Sequence, residues 1–456
     1  MTDNGAYCRS TCEGLAGLAV FSALKEDPLV HAFVELLEIA GRNRGSSALI
    51  PAWARFTAVF AGYAGREPFC RVLYRLALTD VNGFTLAAER GDLDQGGFLA
   101  ALAANDLAAL SRAAAFDFGR LVHLYAELFD GSGGAAFERI ESEARLLMEA
   151  GGRADAGIAP CDWTPAAFAV FIQGNGAGDL SGHKMFCIAD GKLHPAGNRD
   201  PVRLADLSGY VEERQVVISN TLRFMSARGK EAANMPAANL PQANNILLYG
   251  DRGCGKSATV KAVCNEYAER GLRLVELRKA ELASLPAVTA MLAGRGLRFI
   301  LFIDDLSFEA GDGDFMMLKA MLEGGIETTP PNVVIYATSN RRHLVREPRS
   351  DRPASSGDVR AFDTMQEQLS LADRFGITVI FSSPSQDEYL RIAEFIARKH
   401  GLLPENSGAD QLQRFRENAV RWERWFNGRS PRTAVQFVEW LAGGDDFPWD
   451  STAGQL

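Results

Sequence analysis

The sequence predicts an α/β fold. A parallel sheet carries helices on both faces, a C-terminal helical lid follows it, and a mainly helical N-terminal domain precedes it. Three observations predict this arrangement. From residue 245 onward, short apolar runs alternate with helical stretches, the pattern of a parallel sheet covered on both sides. A glycine-rich turn joins the first of those runs to a helix. The first 150 residues instead place Ala and Leu at helical spacing.

Composition bounds the reading. At 456 residues the chain has room for about two to four domains. Hydrophobic residues make up 47% and charged residues 23%, which excludes a largely disordered chain. Lys and Arg number 48 against 57 Asp and Glu, a net charge of −9. That argues against a nucleic-acid coat and leaves room only for a local basic patch. The seven cysteines are scattered with no Cys-x-x-Cys pair, so neither a disulfide framework nor a zinc site is expected. The six histidines do not cluster, and no metal or catalytic role is assigned to them. The N-terminus lacks a basic segment before an apolar run, residues 15–24 are too short to span a bilayer, and no other run is long enough. The expected setting is soluble, reducing and cytoplasmic, with no membrane span.

In chain order, residues 1–150 read as a helical N-terminal domain. Within it, 28–40, 67–78, 98–115 and 135–150 have helical periodicity, and Leu29, Phe33, Leu36 and Leu37 share one face. These stripes are expected to form a bundle core, and glycines at 131–134 separate the last two stretches. Residues 151–200 form a small mixed segment. There, 186–189 and 192–194 flank Asp190-Gly191 as a hairpin, and Gly174, Gly176, Gly178 and Gly182 mark loops. Residues 201–383 form the α/β core, with strands expected at 246–249, 272–277, 299–303, 333–338 and 377–381. Residues 226–244 and 346–363 are expected to be polar loops. Residues 384–456 form the helical lid and tail.

Gly250-Asp251-Arg252-Gly253-Cys254-Gly255-Lys256-Ser257 fits the pattern G-x-x-x-x-G-K-[ST]. Glycines let backbone N–H groups converge on phosphate oxygens without Cβ collisions. The following helix, entered through Lys256, Ser257 and Ala258, turns its positive end toward the anion. The Lys256 ammonium suits the β and γ phosphates, and the Ser257 hydroxyl suits Mg²⁺. The bland reading of Cys254, a small residue tolerated in the loop, is preferred over an activated thiolate.

The apolar run 299–303 ends in Asp304-Asp305. Acids at the C-terminal end of a buried strand lie where ligands bind in such sheets. Asp304 is assigned to Mg²⁺, and Asp305 to orienting or deprotonating the attacking water.

With these residues in hand, the sequence resembles an AAA+ ATPase, specifically a bacterial ATP-binding family of unknown function. The supporting segments are NNILLYGDRGCGKS, GLRLVELRK, FILFIDDLSFE, VVIYATSNRRHL, LSLADRFGITVIFSSPSQDEYLRIA and GRSPRTAVQF, spread over about residues 201–442. The resemblance implies ATP and Mg²⁺ as ligands and assigns further roles. Asn340 matches the first sensor. Arg374 matches the arginine finger offered to a neighbouring subunit, the alternative being an ion pair with Asp373 or Asp387. Arg432 matches the second sensor, with Arg429 as a rival. Gly209 and Tyr210 match the segment lying against adenine, the alternative being an ordinary loop. Asp305 departs from the usual Glu, which implies slow hydrolysis; Glu309 is a substitute candidate.

A finger supplied in trans implies self-association into a ring or arc. The first expectation for the partner is a protein, remodelled by the ATPase. The alternatives are a nucleic-acid-associated initiator or helicase-loader-like role, suggested by arginines and tryptophans in the lid, and a non-hydrolysing nucleotide-gated adaptor.

Overall fold

The computed structural model describes residues 3–42, 46–64, 67–128, 135–149, 162–197, 200–226, 243–306, 318–319, 322, 329–340, 374–426 and 428–444. The expected loop at 226–244 (apart from its ends), the insertion at 346–363, and Cys161, Glu309 and Asp373 lie outside them. The chain divides into two compact units. One is Met1–His183 with Arg295–Leu297, and the other is Lys184–Gly294 with Arg298–Leu456.

The first unit is helical. It contains α1 (Asp3–Ala16), α2 (Pro28–Gly41), α3 (Ser46–Ala64), α4 (Phe69–Thr79), α5 (Gly83–Arg90), α6 (Phe98–Ala114), α7 (Phe118–Leu128), α8 (Ala135–Glu149) and α9 (Pro165–Asn175). Local chemistry starts them: the Asp27 side chain accepts from the Leu29 and Val30 amides ahead of Pro28, and Thr164 caps α9 in the same way. Gly174 falls in the last turn of α9, not in a loop. The core gathers Phe33, Phe56, Phe69 and Phe118, with Phe33 and Phe69 centroids 4.8 Å apart. Each such side chain contributes roughly 1.5–3 kcal/mol by leaving water.

Two buried carboxylates fasten this unit. Asp106 accepts from the Ala19, Val20 and Phe21 amides at 2.7–3.0 Å. Glu89 is fully buried. It accepts from Arg295 Nε and Nη2 at 2.9 and 2.7 Å, and from the Ala177 and Gly296 amides.

The second unit is built on a sheet with strand order β2-β1-β4-β5-β6-β3-β7. The strands are β1 (Met185–Ala189), β2 (Lys192–Pro195), β3 (Ile246–Gly250), β4 (Leu272–Leu277), β5 (Arg298–Ile303), β6 (Val333–Ser339) and β7 (Ile377–Phe381). All neighbours pair in parallel except β1 with β2. Every residue of β5 and β6 is buried, so both faces are covered. The hairpin turns on Asp190 and Gly191, both at positive φ, as its sequence implies. It is not a separate module, because β1 pairs with β4 and extends the main sheet.

Helix α10 (Val211–Ser226) is tied to the sheet by a buried polar cluster. Asn220 exchanges hydrogen bonds with Asn244 and donates to Tyr336 Oη, which also contacts Thr221 Oγ1 at 2.8 Å. Two further helices of the core are α11 (Lys256–Tyr267) and α12 (Leu285–Leu292). The lid consists of α13 (Gln386–Lys399), α14 (Ala409–Trp425) and α15 (Pro431–Gly443), packed around Tyr389, Ile392, Phe415, Trp422 and Phe437. Among the described residues no single helix is long and apolar enough to cross a membrane.

Candidate nucleotide-binding site

The site grows from the end of β3. Gly250 has φ of 138°, and a Cβ there would fall 2.0 Å from the Phe381 carbonyl oxygen. The turn can therefore hug β7 only with glycine at this position. Gly253 and Gly255 also have positive φ, and Gly255 leads into α11 as its N-cap. Asp251 fixes the outer edge of the turn by accepting from Ser383 N and Oγ at 2.8 and 2.7 Å. Those bonds hold its carboxyl below the ordinary range.

Lys256 is nearly buried and reaches back over its own loop. Its Nζ donates to the Gly250 and Asp251 carbonyls at 2.8 and 2.7 Å and to Asn340 Oδ1 at 3.0 Å. Burial lowers its pKa, against the pull of nearby Cys254, Asp251, Asp304 and Asp305. The next residue, Ser257, donates to Asp304 Oδ1 at 2.6 Å. The same oxygen accepts from Thr338 Oγ1 at 2.5 Å. Asp305 sits at φ of 52°. Its amide donates to Thr338 Oγ1 and its Oδ1 accepts from Asn340 Nδ2 at 2.6 Å. One contiguous network thus joins the ends of β3, β5 and β6.

Beside this network lies a cavity of about 180 Å³. Tyr210, Cys254, Thr259 and Phe381 line it from the core, and Ile392 and Val435 from the lid. Tyr210 rests on Phe381 with ring centroids 5.2 Å apart and donates to the Ser382 carbonyl. Burial, then the contact with Cys254, pushes its phenol well above the ordinary range. Burial also raises the Cys254 thiol, the reverse of the thiolate that a helix N-terminus favours. Gly209 packs against Ile392. Lys399 of the lid pairs with Asp206 at the same cavity.

Arg432 meets the loop through its backbone: its amide donates to the Gly253 carbonyl at 3.2 Å. Among the described residues its guanidinium forms no ion pair, whereas that of Arg429 pairs with Glu423 at 3.2 Å. Arg374 stands apart from the rest. It precedes β7, whose far end, Phe381, pairs with Gly250. At about 3.3 Å per residue, the four steps of β7 put the start of that strand, Ile377, about 13 Å along it from the loop.

Sequence reasoning missed Thr338, Ser383, and the Asp206–Lys399 pair. Thr338 carried a signal, as a hydroxyl interrupting the apolar run of β6 two residues before Asn340. The other two are joined across 132 and 193 positions and leave no local trace.

A glycine-rich loop between a central strand and a helix, acids at the neighbouring strand ends, and a helical lid define a P-loop α/β protein of AAA+ architecture. The chain belongs to the family described as a protein of unknown function, DUF815, whose model matches residues 183–445. No curated protein matches it. Among solved structures, it is similar to the Holliday junction branch migration motor RuvB of Thermotoga maritima and to two single-substitution variants of that motor. All three share 16% identity over 54% of this chain, with a TM-score of 0.33. The chain matches 65% of that motor's length, just under two thirds.

Proposed function

We propose that this chain is an AAA+ ATPase that binds Mg-ATP and couples binding or hydrolysis to remodelling a macromolecular partner, a protein in the first reading. The observation that carries the proposal is the Lys256–Asn340–Asp305 and Ser257–Asp304–Thr338 network at the open end of the sheet. The residues fit the ligand. A buried ammonium that satisfies itself on loop carbonyls has charge to offer phosphate, and a hydroxyl facing a carboxylate is a donor set for a hard cation.

In this reading the amides of Asp251, Arg252, Gly253, Cys254, Gly255, Lys256, Ser257 and Ala258, following Gly250, receive the phosphates. Ser257 and Asp304 would hold Mg²⁺, which when bound would supply charge neutralisation for the phosphates. Asp305 takes the proton of the attacking water, and Asn340 positions that water or the γ phosphate. Tyr210 faces the base in the 180 Å³ cavity, and Gly209 precedes it in the segment that would lie against the base. Arg432 reaches in from the lid.

The place of Arg374 before β7, at the end of that strand opposite the loop, supports service to a neighbouring copy in a ring or arc. A finger in trans is worth about 10³ to 10⁵ in turnover. Specific ATPase activity is therefore expected to rise with protein concentration, and Arg374→Ala is expected to remove that rise while leaving ATP binding intact. Activity independent of concentration, with Arg374→Ala unchanged, would overturn the assembly reading. A nucleic-acid-associated role is the second reading, favoured by the exposed arginines of the lid.

A further inference from the structure

The cavity beside the loop is bordered by a cation that the network at the strand ends does not use. Arg214 lies in the first turn of α10, and its amide donates to the Tyr210 carbonyl at 3.0 Å. It lines the 180 Å³ cavity together with Cys254, Gly255 and Thr259. Gly255 and Thr259 belong to the start of α11, where the glycine-rich turn hands over to the helix. One wall of the cavity is therefore the end of the loop itself.

Neighbouring polar groups are committed elsewhere. Thr259 Oγ1 donates to the Gly255 carbonyl at 2.9 Å and Tyr210 Oη to the Ser382 carbonyl at 2.6 Å. Asp206 pairs with Lys399. Arg214 is half-buried, yet among the described residues its guanidinium forms no ion pair and no hydrogen bond. Glu213, next in the chain, lines a different cavity with Glu212 and Glu388. Burial lowers the Arg214 pKa against the pull of Glu213. The fold thus withdraws this charge partly from water without setting a carboxylate against it, and an anion entering the cavity would relieve that cost.

We propose that Arg214 binds the α phosphate of a nucleoside di- or triphosphate, the anionic group nearest the base. The inference rests on the reading of this cavity as the base site. The chemistry selects phosphate over base. A guanidinium is a donor that stays charged, and its hydrogen bonds to an anion are about twice as strong as those between neutral groups, which is all that a base nitrogen offers. Duties then divide along the ligand. Lys256 serves the β and γ phosphates, which hydrolysis changes, and Arg214 serves the phosphate that stays with the nucleoside. Arg214 should accordingly hold product as firmly as substrate.

The test is calorimetric titration of Mg-ATP and Mg-ADP into the full chain and its Arg214 variants. Arg214→Ala should weaken both nucleotides by the same factor, about tenfold to a hundredfold. Arg214→Lys keeps the charge but not the planar fork and should recover part of that loss. Arg214→Gln, a neutral donor, should recover none of it. Ligand-free melting temperatures should not fall, because no bond within the chain is removed. The inference is overturned if Arg214→Ala binds ATP as the wild type does, if ATP is weakened and ADP is not, or if Arg214→Gln rescues as well as Arg214→Lys, which would move the contact to the base. Wild-type binding by Arg214→Ala would leave the site reading standing. A folded wild type that binds neither nucleotide would overturn that reading and this inference with it.

Discussion

At the scale of single residues, the site depends on close approaches that one added methyl would spoil. A Cβ on Gly253 would lie 2.9 Å from Ser430 Oγ and 3.0 Å from Arg432 Cβ, at a φ of 77°. Gly253→Ala should therefore strain the loop by about 1–2 kcal/mol and separate lid from loop, which would be seen as weaker nucleotide binding in calorimetry. Thr338 is buried and serves both aspartates. Thr338→Val keeps its shape but leaves the Asp305 amide without its acceptor, at a cost of about 1–3 kcal/mol. Mg²⁺-dependent nucleotide affinity should fall about tenfold to a hundredfold as Asp304 loses its orientation. Lys256 gives a pH signature. Burial lowers its pKa, so its ammonium is lost on raising pH before an ordinary lysine would titrate. ATP affinity should accordingly decline early on the alkaline side. The ligand-free protein, relieved of a buried charge, should gain stability over the same rise.

At the scale of elements, the strands were legible and their company was not. The apolar runs of β3 to β7 announce themselves because both faces of each central strand are buried, and the loop after β3 follows from glycine and lysine spacing alone. The hairpin was readable from Asp190-Gly191, but its membership of the main sheet was not. The pairing of Met185 with Leu274 spans nearly ninety residues and is encoded only in the packing. The same holds for the three residues Arg295–Leu297, which precede β5 in the chain and are clasped by Glu89. Burial alone would raise the Glu89 carboxyl, but hydrogen bonds and charge from Arg295, aided by two amides, outweigh it and lower the pKa. A lowered carboxyl contributes stability above its unfolded value, and that contribution is lost as pH falls through the folded one. The helical unit should thus weaken as pH falls below about 4.5. Arg295→Ala, which strands a buried carboxylate, should cost about 3–5 kcal/mol in denaturant melts. A loss below 1 kcal/mol would show that the pair is not fastening the unit.

At the scale of the whole molecule, the chain joins a helical unit rich in phenylalanine to a P-loop unit with a lid, and the central claim is that the second unit holds a nucleoside triphosphate. The loop, the acids and Asn340 could be located from sequence because each sits at the end of an apolar run. What they contact became visible only when the sheet order brought β5 and β6 alongside β3. Asp305 in place of a longer acid predicts slow turnover, so binding tests the claim better than hydrolysis does. The most direct measurement is calorimetric titration of Mg-ATP into the full chain and into Lys256→Ala. The prediction is saturable binding by the wild type that the substitution abolishes without lowering the melting temperature of the ligand-free protein. Equal binding by both, or none by a folded wild type, would contradict it.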